Sequence, residues 1–171
     1  HAFEFTRFGS TTGIEILMNE FTDVQMELDV YWVQSGGGDP IEWIHKVAGR
    51  MDVVHFKEMV GRLPNEKNRS MTEMAPVGEG NFDWKKIMQA CDDTGVQYAF
   101  IEQDNAVETD PLLCMRKSID NLTALGGRFR RCAGWECRPA RVFLSSGRRR
   151  SPPASGRSSE HIEEVSGCSA C

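Results

Sequence analysis

The chain has 171 residues, 40% of them hydrophobic and 26% charged, with a formal net charge of −5, the composition of one globular core rather than of a collagenous or disulfide-dense chain. No apolar run approaches the roughly 18 to 20 residues of a membrane span and nothing near His1 resembles a signal peptide, so a cytoplasmic protein with no membrane partner is expected. The charge is unevenly divided: residues 1–127 carry −10 and residues 128–171 carry +5, and the acidic excess of the first part argues against nucleic acid as a partner.

Residues 1–5, HAFEF, alternate His1, Phe3 and Phe5 against Ala2 and Glu4, the period of a strand. TTGIEILMNE (11–20) sets Ile14, Leu17 and Met18 at helical spacing behind threonines able to cap. VQMELDVYWV (24–33) is alternating and rich in β-formers, so it reads as a strand. After three glycines, Asp39 and Pro40 open the helix PIEWIHKVAG. MDVVHFKEMV (51–60) is again a strand. Residues 61–80 read as a polar loop, longer than the about 12 to 15 residues a compact domain ordinarily leaves without structure, which points to function. Asn81 caps FDWKKIMQACDDTG, closed by Gly95; VQYAFIEQD (96–104) is a strand; Asp110 and Pro111 open PLLCMRKSIDNLTALG. Each strand is thus followed by a helix. That order predicts an α/β fold of parallel strands joined by right-handed crossovers, either half of a (β/α)8 barrel or a small open sheet.

An ionisable residue interrupts the apolar run near the carboxyl end of each later strand: Asp29 in MELDVYW, His55 in VVHFKE and Glu102 in AFIEQD. One aspartate at a strand end is ordinarily a cap, and one histidine is ordinarily structural. Three successive strands with the same feature ask for a shared partner, because an unpaired buried carboxylate is costly. A divalent cation (Mn²⁺, Mg²⁺, Co²⁺ or Zn²⁺) suits this oxygen and nitrogen donor set. The period of two adds Glu27 and Tyr31 to the face of Asp29, Lys57 to that of His55, and Asp104 to that of Glu102.

HAFEF, LDVYWV, GGDPIEWIHKVAGR, VVHFKEM, PVGEGNFDW, AFIEQD and SIDNLTALG together resemble the C-terminal half of the sugar phosphate isomerase/epimerase family, within the xylose isomerase-like TIM barrel superfamily. The resemblance covers residues 1–127 and implies a partial (β/α)8 TIM barrel, strands five to eight with their helices. It implies metal ligation by Asp29, His55 and Glu102, with Glu102 also moving the proton and Lys57 donating to a substrate oxygen. His1, Tyr31, Trp32, Glu79 and Asp104 become substrate-binding candidates, and a further ligand is expected two residues before His1. The implied activity is isomerisation or epimerisation of a sugar or sugar phosphate through an ene-diolate. Two alternatives stand beside it: an inosose dehydratase-like lyase, and a non-catalytic half-barrel that closes against a second copy or another chain.

Residues 128–171 are rich in Arg, Ser, Gly, Pro and Cys without helical or strand periodicity, and read as a disordered tail. Translation through an unspliced or frameshifted stretch accounts for that composition. Two sharper readings are a zinc knot built from Cys132, Cys137, Cys168, Cys171 and His161, and a nucleic-acid or sorting role for GRRRSPPASGR. Cys91 and Cys114, inside helical patterns, read as buried thiols.

Overall fold

A computed structural model describes residues 1–64, 66, 69–129 and 141–143. Its centre is a set of parallel strands, β3 (Glu27–Asp29), β4 (Val53–Phe56) and β7 (Tyr98–Ile101), with Asp29 opposite His55 and Phe56 opposite Ile101 in the register. The alternation of side chains gives this sheet two different faces. Leu28, Val54, Phe56, Ala99 and Ile101, none more than 3% exposed, enter the hydrophobic core. They pack there with residues of three helices, α3 (Pro40–Lys46), α4 (Trp84–Thr94) and α5 (Pro111–Ala124), among them Ile44, Ile87, Cys91 and Leu122. Glu27, Asp29, His55 and Phe100 alternate with these residues and lie on the opposite face.

The helix boundaries follow from local chemistry. In α1 (Gly13–Glu20) the Thr12 amide and hydroxyl both reach Glu15 Oε2 at 2.9 Å, a capping box. Asp39 and Asp110 cap α3 and α5 ahead of Pro40 and Pro111, where the missing N–H costs nothing. Gly95, at φ 82°, closes α4 in the left-handed region that a side chain would disfavour.

Several expectations are corrected. HAFEF is no strand: Ala2–Phe5 form a 3₁₀ turn, with Phe5 edge-on to Trp43 at 5.2 Å and Phe3 exposed. Alternation alone cannot hold a strand without a ladder partner, and among the described residues the sheet therefore has three parallel strands, not four. The run 24–33 is a strand only to Asp29. Its carboxylate accepts the amides of Tyr31 and Trp32 and starts α2 (Val30–Ser35), so the cap outweighs the β-propensity of Val, Tyr and Trp. The run 51–60 breaks at Lys57 and continues as β5 (Glu58–Gly61), which leaves the parallel sheet to pair antiparallel with β6 (Thr72–Ala75). The expected loop 61–80 therefore contains a strand. Asp83, not Asn81, caps α4; the Asn81 side chain instead accepts from the Gly61 amide.

Short strands also occur where the sequence shows no periodicity. β1 (Arg7–Phe8) and β2 (Thr11–Thr12) form a hairpin ahead of α1. Past Gly127, β8 (Arg128–Phe129) pairs with β9 (Arg141–Phe143), and β9 lies antiparallel to β7, so these two stretches of the expected tail join the sheet. The four tail cysteines, His161 and GRRRSPPASGR lie outside the described residues. Among the described residues no helix is long and apolar enough to cross a membrane.

Candidate active site

The carboxyl ends of the three parallel strands bring the ionisable residues together. Asp29 is the last residue of β3, and its Oδ1 is committed to the Tyr31 and Trp32 amides at 3.0 and 3.2 Å, which leaves Oδ2 facing its neighbours. His55 stands beside it on β4, Lys57 follows the end of β4, and Glu102 follows β7, its amide bonded to Phe56 O at 3.1 Å. Asp29, His55 and Glu102 each present one ligating atom, all within 4.8 Å of one another.

Lys57 is only 4% exposed. Its ammonium lies 3.1 Å from Asp29 Oδ2, 3.0 Å from Glu102 Oε2 and 3.1 Å from Asp104 Oδ2. Burial works to lower its pKa, but the hydrogen bond to Glu102, the charge of Asp29 and the bond to Asp104 prevail and hold it above the usual lysine range. Lys57 therefore stands as an ammonium among three carboxylates. For Asp29 burial dominates and pushes the carboxyl above its ordinary value, against the opposing charge of Lys57.

The imidazole of His55 meets carboxylates at both nitrogens: Nε2 is 2.7 Å from Glu27 Oε1, and Nδ1 is 3.6 Å from Glu102 Oε2 and 3.9 Å from Asp29 Oδ2. These groups line an open cleft of about 550 Å³ whose remaining wall includes His1 and Trp32, with ring centroids 5.1 Å apart. Trp32 also lies under the Lys57 ammonium, 5.7 Å from ring to nitrogen.

Two sequence candidates fall elsewhere. Tyr31 is buried with its ring edge-on to Trp32, because the helix begun by Asp29 ends the alternation that placed Tyr31 on the inward face. Glu79 pairs with Lys117 at 3.0 Å and lines a separate cleft of about 470 Å³ with Arg62 and Asn105.

Glu58 is a residue that the sequence reading missed. It is fully buried and accepts from the amides of Met59 and Gly78 at 2.9 Å, from Phe82 at 3.3 Å, and from Trp84 Nε1. This carboxylate ties β5 to the segment that leads into α4 and fixes the strand end next to Lys57. Its signal was legible in principle: Glu58 has the core-facing parity of Phe56, where a carboxylate needs several donors.

The polar cluster sits on a mixed α/β fold with a parallel sheet, and that fold is similar to the fold of a sugar phosphate isomerase/epimerase. That neighbour is the crystal structure of a sugar phosphate isomerase/epimerase from Parabacteroides distasonis, matched at 24% sequence identity and a TM-score of 0.54 over 72% of this chain and 43% of that one. The chain thus spans less than half the length of the neighbour, and at this identity the likeness is one of fold. No protein-family model matches the chain, and no curated protein matches it significantly.

Proposed function

We propose that residues 1–127 are the C-terminal half of a (β/α)8 barrel, with β3, β4 and β7 as its strands six, seven and eight. Its proposed chemistry is that of a divalent-metal-dependent isomerase or epimerase acting on a sugar or sugar phosphate. The observation that carries this reading is the convergence of Asp29, His55 and Glu102 from successive parallel strand ends to within 4.8 Å, beside a buried lysine. The donor set fits a divalent cation: two carboxylates and an imidazole from the three strands, with Glu27 and Asp104 beside them and Lys57 as the buried cation among them. Asp29, His55 and Glu102 would hold the ion, which when bound would polarise a carbonyl and the adjacent hydroxyl of an open-chain sugar.

The chain's own residues then divide the work. Glu102 is 43% exposed and opens on the cleft, so its carboxylate can take a proton from the carbon beside the carbonyl and return it. Lys57, held as an ammonium, donates to the oxygen on which negative charge develops. Its three carboxylate contacts keep it in place without a rotamer search. Trp32 and His1 offer flat apolar surface to the C–H face of a sugar, and Asp104 accepts from a hydroxyl. Return of the proton to the neighbouring carbon gives isomerisation; loss of a β-hydroxyl instead would give the dehydratase outcome.

The deciding experiment incubates the purified chain and a ketose panel with Mn²⁺ in D₂O. Deuterium incorporated next to the carbonyl, and lost in Glu102→Gln, supports the reading; no incorporation and no Mn²⁺ binding sink it. A second reading, a half-barrel completed by another polypeptide, is favoured by the edge of β3, which among the described residues pairs only with β4. Size-exclusion chromatography with light scattering tests it, since a purely monomeric chain that turns over substrate excludes it.

A further inference from the structure

His55 is held at the nitrogen turned away from the carboxylate cluster. Its Nε2 lies 2.7 Å from Glu27 Oε1, a close ion-pair contact, whereas Nδ1 stands 3.6 and 3.9 Å from Glu102 and Asp29. An ionised carboxylate only accepts, so a contact this short favours the tautomer with its hydrogen on Nε2, which leaves the lone pair on Nδ1. The strand register produces this arrangement. Asp29 pairs with His55 and Glu27 with Val53, so Glu27 sits one diagonal step from the imidazole on the same face of the sheet.

We propose that Glu27 is a positioning residue for His55, fixing the ring and the tautomer that aims Nδ1 at the space shared with Asp29 and Glu102. The proposal rests on the metal-ligand role of His55 proposed above. Ligating histidines ordinarily give their second N–H to a carboxylate or carbonyl, and loss of that partner typically weakens metal binding by about 10 to 100-fold. Glu27 is half exposed, so its role does not require that it hold up the core.

The test compares Glu27→Ala and Glu27→Gln with the unmodified chain in two measurements. In metal-free protein at pH 8, ¹⁵N-edited NMR should resolve the His55 Nε2–H proton, lose it to solvent exchange in Glu27→Ala and recover it in Glu27→Gln, whose amide oxygen still accepts. Titration with Mn²⁺ alone should show affinity about 10 to 100-fold weaker in Glu27→Ala and largely restored in Glu27→Gln. In a His55→Ala background, Glu27→Ala should change Mn²⁺ affinity no further, because the residue acts through the imidazole. A retained Nε2–H signal in Glu27→Ala, or an equal affinity loss with and without His55, overturns the proposal; the latter would mean a plain charge effect. Failure of the unmodified chain to bind Mn²⁺ would overturn the metal reading instead, and the Nε2–H signal would still decide whether Glu27 fixes the ring. Glu27→Ser carries the same comparison if the alanine variant does not fold.

Discussion

The Lys57 ammonium lies 3.1 Å from one oxygen of Asp29, while the other oxygen of the same carboxylate caps the helix that follows. One side chain therefore closes a strand, opens a helix and faces the cleft. These tasks can be separated by substitution.

Asp29→Asn keeps the cap but turns an amide nitrogen toward the buried Lys57 ammonium, so it should still cost about 1 to 3 kcal/mol. It removes the negative charge, and Mn²⁺ binding should fall sharply. Asp29→Ala loses the cap as well and should cost about 1 kcal/mol more than Asp29→Asn in urea denaturation. Equal stability losses in the two variants would show that the cap contributes nothing.

Glu102→Gln preserves shape and removes the carboxylate proposed as the base. Proton exchange should drop by about 10² to 10⁴-fold, the range expected when a positioned acid–base group is lost. Lys57→Met should also slow turnover but strengthen cation binding, because Asp29, Glu102 and Asp104 lose their resident positive charge. Isothermal titration with Mn²⁺ and turnover measured on the same samples separate the two effects.

Glu58→Gln turns an amide nitrogen toward the N–H donors that Glu58 satisfies. The expected cost is about 3 kcal/mol, read from the urea midpoint at constant m-value. Gly80→Ala should damage the same knot from outside, since a Cβ there would stand 2.5 Å from the Glu58 carboxyl carbon.

Burial, and after it the charge of Asp92, pushes the Cys91 thiol from 9.0 up to about 12. The folded state thus keeps its proton where the unfolded chain loses it. The resulting contribution to stability is complete below pH 9.0 and disappears as the pH rises towards about 12. Urea midpoints measured from pH 8 upward should decline, and Cys91→Ala should flatten that decline. Native protein at pH 8 should also resist iodoacetamide at this position.

The strand-end cluster was legible because it rests on two short-range rules, alternation along a strand and the carboxyl-end placement of polar residues. Asp29, His55, Lys57, Glu102 and Asp104 meet as those rules require. The rules fail where a local bond outranks the pattern. Tyr31 was assigned to the cleft by counting in twos, but the Asp29 cap converts the backbone to helix one residue after the strand. HAFEF shows the converse failure: its alternation is real, yet a strand also needs a neighbouring ladder, which no local pattern encodes. Glu58 escaped because its four donors come from residues 59 to 84, and the backbone amides among them leave no mark in composition.

The two ends of the sheet are chemically unlike. Among the described residues, β8 stands at one end, two residues long and antiparallel, and at the other β3 offers the bare side of a parallel strand. Two of the three residues on that bare side, Glu27 and Asp29, also line the cleft. Any strand that lengthened the sheet there would seat its backbone against the wall of this cleft, so the proposed assembly and the proposed chemistry would share a single seam. On the half-barrel reading, a substitution that altered how a second polypeptide docks on β3 would be read out as a change in ligand binding, and a ligand that ordered Glu27 and Asp29 would steady the docked strand in return.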